Sequence, residues 1–249
     1  MRIAIIGDVH ANLPALEAIL IHAKAREVES IWNVGDSVGY GAFPEEVVQR
    51  LQQEGITSIL GNYDLKVLQF PDNQNKFVKT KRAEKYLAFQ YAYEHLSEAC
   101  LAYLSSLPEQ TWLDISGRQI LLVHGSPVSN EELLIPETPK RHLKKLVKLA
   151  EQKNGRRLDL LIFGHSHQPF SRCVGEVWFI NPGSVGRPDD GDPRASYAVL
   201  ELREQDILVE LFRVDYDIER AARAVRERGL PEVFAQMLIR GMDLEKVIR

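Results

Sequence analysis

The chain has 249 residues, of which 45% are hydrophobic and 27% charged, and its formal net charge is −4. Such a chain can bury a large core without disulfides or a structural metal, and its acidic balance argues against a general nucleic-acid coat protein. Cys100 and Cys173 form no C-x-x-C pair, so we expect neither a disulfide framework nor a thiolate zinc site. No apolar run approaches the roughly 18 residues of a membrane span, and the N-terminal run is too short for a signal-peptide core. We therefore expect a cytoplasmic protein with no membrane partner.

Short apolar runs alternate with amphipathic stretches along the chain. The first run is continuous, as in a strand covered on both faces, and a helix is predicted to begin after it with Asn12 and Pro14 as start signals. Strands are predicted, in chain order, at residues 3–6, 31–34, 58–60, 120–123, 160–163, 177–180, 196–202 and 207–214. The last three look like an antiparallel meander with one solvent-facing side.

Helices are predicted between and after these strands. From about residue 71 to about residue 116 the strand signal vanishes, which indicates a helical insert of two or three helices. Thr138 and Pro139 are predicted to open a later helix, and the chain returns to helix from about residue 217 to residue 249. Since no linker or repeat interrupts it, residues 1–249 are predicted to form a single domain.

Five predicted strands end in polar residues beside a glycine. These groups are Gly7-Asp8-Val9-His10, Gly35-Asp36, Gly61-Asn62-Tyr63-Asp64, His124-Gly125 and Gly164-His165-Ser166-His167. Because ligands bind at the carboxyl ends of strands in α/β sheets, we expect these groups to converge. Taken singly, Asp8 could be a turn acid, Asn62 a turn residue and His124 a core histidine. The pair His165 and His167 is harder to explain by packing, since imidazoles at i and i+2 on an extended backbone project to the same side.

The types of these side chains predict a metal centre. Two aspartates, one asparagine and four histidines suit Mn²⁺, Fe or Zn²⁺ better than Mg²⁺ or Ca²⁺, which prefer oxygen ligands alone. Seven ligands are too many for one tetrahedral ion, and they suit two ions that share a carboxylate and clamp a phosphoryl group. The predicted ligands are Asp8, His10, Asp36, Asn62, His124, His165 and His167.

The order of the five motifs resembles that of the calcineurin-like metallophosphoesterases, over residues 7–167. The later stretch at residues 181–186, Asn-Pro-Gly-Ser-Val-Gly, resembles the small bacterial phosphodiesterase branch of that superfamily. The resemblance implies an α/β fold of the α+β type, a four-layer α/β/β/α sandwich in which helices flank two packed mixed sheets.

The resemblance also implies the metal ligands and the reaction. Asp8, His10, Asp36 and His167 would hold one ion, and Asp36, Asn62, His124 and His165 the other. The two ions would be divalent transition metals, with manganese expected and iron, zinc or nickel as alternatives. A hydroxide between them would hydrolyse a phosphate ester, which we expect to be a small molecule or nucleotide and a diester rather than a monoester. Asn62, Tyr63 and His124 are the predicted catalytic residues.

The sequence departs from the family pattern at Tyr63. Many members have a histidine there that helps to protonate the leaving group, whereas a phenol titrates near pH 10 and is a poor proton donor at neutral pH. Asp64, which would orient that histidine, is expected to cap the next segment instead. Arg187 and Arg194 lie in a loop rich in glycine and proline, where they could contact substrate phosphate or pair with loop aspartates.

Other functions fit the sequence less well. Gly164-His165-Ser166-His167-Gln168 almost matches a nucleophile elbow, but its last residue is glutamine and the only histidine after Ser166 is the adjacent His167. No G-x-G-x-x-G follows the first strand, which disfavours a dinucleotide-binding module. The alternative that stays open is a catalytically weak or inactive protein of the same fold that acts in binding. The sequence predicts neither the physiological substrate nor the oligomeric state.

Overall fold

The computed structural model describes residues 1–204 and 206–248. The strands in these residues are β1 (Arg2–Ile6), β2 (Ser30–Asn33), β3 (Thr57–Ser58), β4 (Gln110–Ile115), β5 (Arg118–Val123), β6 (Leu160–Ile162), β7 (Phe170–Val174), β8 (Val177–Asn181), β9 (Ala195–Leu202) and β10 (Ile207–Val214). The helices are α1 (Leu13–Ala25), α2 (Pro44–Gln53), α3 (Asn62–Leu68), α4 (Phe70–Thr80), α5 (Ala83–Glu94), α6 (Glu98–Ser106), α7 (Lys140–Asn154), α8 (Ile218–Glu227), α9 (Glu232–Arg240) and α10 (Leu244–Ile248).

The strands form two mixed sheets of five strands each. The first sheet has the order β10-β9-β1-β2-β3, with β1, β2 and β3 parallel and β9 and β10 antiparallel. The second has the order β4-β5-β6-β8-β7, with β5, β6 and β8 parallel and the two edge strands antiparallel. This confirms the predicted α/β architecture of two mixed sheets flanked by helices.

Alternation along the strands produces the layers. In β1, Ile3 and Ile5 pack into the apolar core between the two sheets, whereas Ala4 and Ile6 face the core beneath α1 and α2. The central strands of the second sheet alternate in the same way, and their outer residues pack against α7. Because both faces are covered, the central strands are continuously apolar, as expected for buried parallel strands.

Two strands, β4 and β7, and the turn that joins β4 to β5 are absent from the sequence prediction. The strand β4 lies inside the interval predicted to be a helical insert, so that prediction is wrong for residues 110–115. Ser116 and Gly117, both with positive φ, form the tight turn that pairs β4 with β5, and this hairpin signal was missed. The strand β7 was not predicted either.

The predicted three-stranded meander is also wrong. The strand β8 joins the second sheet, parallel to β6, and only β9 and β10 pair as neighbouring antiparallel strands in the first sheet. Alternating polarity indicates a half-exposed strand but carries no information about which of two sheets the strand joins. The loop between β8 and β9 therefore crosses from one sheet to the other. It ends near the carboxyl end of β1, where it contacts the site described below.

Candidate metal centre

The five polar motifs meet at the carboxyl ends of the parallel strands of both sheets. Asp8 and His10 follow β1, Asp36 follows β2, and Asn62 is the first residue of α3 after β3. From the second sheet, His124 directly follows β5, and the last motif follows β6. Main-chain hydrogen bonds connect the motifs, such as 2.9 Å from Asp8 N to Gly35 O. The convergence expected from the sequence is therefore present.

The backbone of the motifs is left-handed at the residues that point inward. Five of the non-glycine residues in the motifs have φ between 47° and 65°: Asp8, His10, Asp36, His165 and His167. Non-glycine residues with positive φ are uncommon, and they cluster at functional sites, where the surrounding structure offsets their strain. The expectation of extended backbone at His165 and His167 is thus wrong. Because both residues are left-handed, their imidazoles separate into two different groups of donors.

Two glycines allow the loops after β2 and β3 to touch. Gly35 has φ +95°, and a Cβ at this position would lie 2.4 Å from Gly61 N. A Cβ on Gly61 would lie 2.1 Å from Asp36 N. Without side chains at these positions the two backbones pack directly on each other, which brings Asp36 beside Asn62.

The donor atoms form two groups. In Asp8, His10 and His167 one potential ligand atom of each residue lies within 4.8 Å of the others, and the same holds for Asp36, His124 and His165. Asp36 lies between the groups, with Oδ2 3.3 Å from His124 Nε2 and 3.8 Å from His10 Nε2. Asn62 Oδ1 lies 3.1 Å from His124 Nε2 and adds an oxygen to the second group.

Backbone carbonyls orient two of the imidazoles. The Nδ1 atom of His124 lies 2.8 Å from Val34 O, and the Nδ1 atom of His167 lies 2.8 Å from Arg187 O. A carbonyl only accepts, so each Nδ1 carries a proton, and it is Nε2 that faces the neighbouring carboxylate. Such an outer hydrogen bond is the usual way in which proteins orient a histidine that binds a metal.

The loop after β8 braces both halves of the site. The backbone N–H groups of Val185 and Gly186 donate to Gly7 O and Asp8 O, each at 3.0 Å. A Cβ on Gly186 would lie 1.8 Å from Val9 O, so only glycine permits this contact. On the other side, Asn181 Nδ2 donates to Gly164 O at 2.9 Å. Residues 181–186 therefore hold the motifs after β1 and β6 together.

Two buried atoms of the donor groups form no hydrogen bond with the residues that the structure describes, although one of them, Asp8 Oδ1, lies 3.3 Å from His167 Nε2. Asp8 Oδ1 and His10 Nδ1 are buried without a hydrogen bond. His10 Nε2 lies 3.3 Å from His167 Nε2, and burial together with the charge of Arg187 holds the pKa of His10 well below its usual value. A neutral ring, a second imidazole nitrogen and an unpartnered carboxylate oxygen thus converge as electron-pair donors. This donor set fits a divalent transition metal.

The charges differ between the two groups of donors. Burial by itself would raise the pKa of Asp8 and Asp36, but neighbouring histidines hold both carboxyls below their usual range, so both are ionised. Burial lowers the pKa of His124, but Asp36 outweighs it and raises that pKa to about 9. Burial and the charge of His124 lower the pKa of His165 to about 4. Without a cation, His124 is therefore the protonated member of its group at neutral pH.

Tyr63 and its neighbour Tyr40 border the first group. The Tyr63 ring packs edge-on to His10 with 5.2 Å between centroids, and its hydroxyl lies 2.7 Å from the Tyr40 hydroxyl. Burial and Tyr40 raise the pKa of Tyr63 well above its usual value, which makes this phenol a still weaker acid than the sequence suggests. Asp64 accepts from Gly61 N at 2.9 Å and from Val38 N at 3.1 Å, and so caps α3 as expected.

The two arginines singled out from the sequence have different surroundings. The Arg194 guanidinium pairs with the Asp192 carboxylate, with 2.7 Å between Nη2 and Oδ2, and its side chain is 44% exposed. The Arg187 guanidinium stacks over the Tyr40 ring at 4.6 Å, and its Nε is buried without a partner. Arg187 lines the pocket beside the donor groups, whereas Arg194 does not.

A pocket of about 440 Å³ opens beside the donor groups. Its lining includes Asn62, Tyr63, His165 and Arg187, together with Lys66, Lys81 and Lys85 from the helical region and residues 243–246 from the C-terminal region. Sequence reasoning did not place Tyr40 or residues 243–246 at the site. No motif marks them, because their position depends on how α8, α9 and α10 pack against Tyr40.

No helix within residues 1–204 and 206–248 is long and apolar enough to cross a membrane.

A two-sheet α/β fold with paired acid and histidine groups at its strand ends defines the class of metal-binding phosphoesterases. The family model of the calcineurin-like phosphoesterase superfamily domain matches residues 1–205, and the chain belongs to this superfamily. Residues 243–246, which line the pocket, lie beyond the matched segment.

Known proteins of similar sequence and structure agree with this assignment. An uncharacterized protein of Methanocaldococcus jannaschii is 32% identical over 96% of this chain and 98% of its own. The phosphodiesterase YfcE of Escherichia coli is 24% identical over 85% of this chain and 97% of its own. The crystal structure of a metallophosphoesterase from Sphaerobacter thermophilus matches 97% of this chain and 100% of its own, at 32% identity and a TM-score of 0.74. A hypothetical protein of Pyrococcus horikoshii shares the fold, with a TM-score of 0.85 at 22% identity and coverage of 96% and 98%.

Proposed function

We propose that this protein is a dinuclear-metal phosphodiesterase. The observation that carries the proposal is the position of Asp36, whose carboxylate lies between two groups of buried donors that otherwise share no residue. One bridging carboxylate between two cation sites is the arrangement that enzymes use for in-line displacement at phosphorus. Asp8, His10, Asp36 and His167 would hold one ion, and Asp36, Asn62, His124 and His165 the other.

The protein's own residues would bind and orient the ester. When bound, the two cations would supply the Lewis acidity that activates water and neutralises charge on the phosphoryl oxygens. The Arg187 guanidinium, which lines the pocket on a half-buried side chain, would donate to a phosphoryl oxygen. The amide of Asn62, also in the pocket lining, would donate to the same phosphate. Tyr63 would donate a hydrogen bond without transferring a proton.

The weak acidity of Tyr63 bears on which esters react. An alkyl leaving group needs a proton as it departs, whereas a nitrophenolate leaves without one. We therefore propose that diesters with acidic leaving groups react fastest. Manganese as the native metal, a nucleotide as the substrate and a cytoplasmic location stay predictions.

A phosphate-ester screen of metal-reconstituted protein tests the proposed function. Bis(4-nitrophenyl) phosphate, 4-nitrophenyl phosphate and alkyl phosphodiesters would be assayed after loading with Mn²⁺, Zn²⁺ or Fe²⁺, with bound metal measured by elemental analysis. We expect turnover of the aryl diester with about two ions per chain. Protein that binds two ions but hydrolyses no ester in the panel would contradict the proposal and favour a binding role.

Replacing Tyr63 with histidine is expected to restore general-acid catalysis. Hydrolysis of alkyl phosphodiesters should rise about 100-fold, at the low end of what such catalysis contributes, while nitrophenyl diester hydrolysis should change little. Both rates would be measured as kcat at neutral pH. The variant Tyr63→Phe keeps the ring beside His10 and should accelerate neither substrate. Equal rates for the histidine variant and the original protein on both substrates would refute this role.

Replacing Arg187 with methionine is expected to weaken substrate binding. The loss of a charge-assisted hydrogen bond to phosphate should raise KM for the aryl diester about tenfold. Arg194→Met is the matched control, because Arg194 is tied to Asp192 outside the pocket, and its KM should stay within about twofold. Equal effects of the two variants on KM would show that Arg187 has no specific contact with the ester.

A further inference from the structure

One wall of the pocket is basic and is formed by residues that do not belong to the donor groups. Lys66, Lys81 and Lys85 line this wall, and Arg187 lines the same pocket. Lys66 is already paired, with 2.6 Å between its Nζ and Glu131 Oε1. Within residues 1–204 and 206–248, neither Lys81 nor Lys85 forms an ion pair or a side-chain hydrogen bond. Both are half-buried, so these two charges lack the full hydration of surface lysines.

Helix α5 begins between these two lysines. Its N-cap residue, Arg82, makes no side-chain hydrogen bond to the first turn, so the N–H groups of that turn are uncapped. The start of a helix is also the positive end of its dipole, and cations placed there are unfavourable unless an anion accompanies them. Arg82 itself is paired with Glu84, with 3.5 Å between Nε and Oε2, and with Glu245, so among the described residues the positive charges at this helix start that lack a paired carboxylate are those of Lys81 and Lys85.

In the part of the chain that the structure describes, the nearby acidic groups pair with other cations and not with Lys81 or Lys85. Glu245 is the carboxylate that faces Lys85, but its Oε2 already accepts from Arg82 Nη1 at 2.9 Å. Asp243, also in the lining, lies 3.5 Å from Lys246 Nζ. Burial, together with the positive charges of Arg187, Lys81 and Arg82, lowers the pKa of Lys85. The Lys85 ammonium therefore lies in a positive electrostatic potential that a bound anion would reduce.

We propose that Lys81 and Lys85, on either side of the start of α5, form a second anion-binding subsite, and that the substrate carries at least one phosphoryl group besides the one that reacts. The assignment to a substrate rests on the proposed function, whereas the subsite itself does not. Arg187 belongs to the same pocket as both the donor groups and the lysines, and its buried Nε has no partner. A chain of linked phosphates would extend from the donor groups past Arg187 to the lysines.

Binding of inorganic phosphates by metal-free protein tests the subsite directly. Tripolyphosphate and orthophosphate would be titrated calorimetrically without metal, because tripolyphosphate chelates divalent ions. We expect tripolyphosphate to bind at least about tenfold more tightly than orthophosphate, and this preference to disappear in the double variant Lys81→Ala/Lys85→Ala. The matched control is Lys76→Ala/Lys79→Ala, which removes the same charge from exposed positions of α4 outside the pocket and should keep the preference.

Each outcome of the titration either supports or overturns the proposed subsite. A preference lost only in the Lys81/Lys85 variant supports the subsite. A preference that is absent from the start, or is lost equally in the control variant, would overturn it in favour of general electrostatic attraction.

Turnover of two matched esters connects the subsite to the substrate. The 4-nitrophenyl esters of thymidine 5′-monophosphate and of the γ-phosphate of thymidine 5′-triphosphate share a leaving group and differ in the number of phosphoryl groups. In metal-loaded protein we expect kcat/KM to be at least about tenfold higher for the triphosphate ester, and the ratio to collapse in Lys81→Ala/Lys85→Ala. Equal kcat/KM values in the original protein would overturn the substrate assignment. Tripolyphosphate binding through these lysines with no turnover of either ester would contradict the proposed hydrolase function and still support the subsite.

Discussion

Replacing Asp36 with asparagine is expected to lower kcat for the aryl diester by about 10³-fold, because several kcal/mol of charge stabilisation depend on the bridging position. The Asp36 carboxylate is 3.3 Å from His124 Nε2 and 3.8 Å from His10 Nε2, so both donor groups lose charge when it is neutralised. Metal content should fall below two ions per chain. Both quantities can be measured on the same purified samples.

The asparagine variant should keep its fold. Tyr63 N donates to Asp36 Oδ1 at 2.7 Å, and an asparagine oxygen can accept the same hydrogen bond. Circular dichroism and the thermal unfolding midpoint therefore serve as controls. Asp192→Asn is a matched acid-to-amide change in the loop outside the pocket and should leave kcat within about twofold. If Asp36→Asn retained two ions and lost less than about tenfold in kcat, the bridging role would be wrong.

The affinity for Mn²⁺ is expected to rise about tenfold from pH 7 to pH 8 and about 50-fold from pH 7 to pH 9. Without metal, both ring nitrogens of His124 face acceptors, Nδ1 toward Val34 O and Nε2 toward Asp36 and Asn62, which requires the imidazolium form. Asp36 raises the pKa of His124 to about 9 in this form. The proton on Nε2 must leave before that nitrogen can bind a cation, so lower pH weakens binding.

Four of the other ligands should contribute little to this slope. The pKa of His165 is lowered to about 4, that of His10 is well below its usual value, and both aspartates are ionised, so these groups carry no proton to release above pH 7. Calorimetry in buffers with different ionisation enthalpies should detect the proton that His124 releases. His124→Gln should lower the release by about one proton per chain, and His142→Gln, at a half-buried site beside Glu132, should leave it unchanged. A slope near zero in the original protein would refute a protonated His124.

Residues near the motifs in sequence were sufficient to predict the core of the site. Each motif follows a short buried strand, and the carboxyl ends of parallel strands meet at one edge of a sheet, so the convergence of Asp8 with Asp36 and of His124 with His165 follows from local pattern. The meeting of these two pairs depends on how the two sheets pack on each other. The glycines in the same motifs permit a close approach of two backbone segments, as in the contact of Gly35 with Gly61. The residue types then indicated a transition metal.

The sequence prediction failed for features that depend on contacts between segments distant in the chain. The strands β4 and β7 are edge strands with weak apolar patterns, and they are stable only because β5 and β8 pair with them. The assignment of β8 to the second sheet likewise depends on its pairing with β6, which period-two alternation does not encode. His165 and His167 occupy different donor groups because their backbone is left-handed, a conformation that a two-residue spacing does not reveal.

Short stretches of sequence thus determine which donor types the candidate site contains, because strand ends and glycine turns are local features. The residues that surround these donors are not determined locally. Arg187 and Arg194 are equivalent candidates in the sequence, and folding places one over Tyr40 in the pocket and pairs the other with Asp192 outside it. The walls formed by Lys81, Lys85 and residues 243–246 come from helices that reach the pocket only through packing. Packing between segments far apart in the chain depends on the whole apolar core, so the contacts that would select a substrate emerge only in the folded molecule.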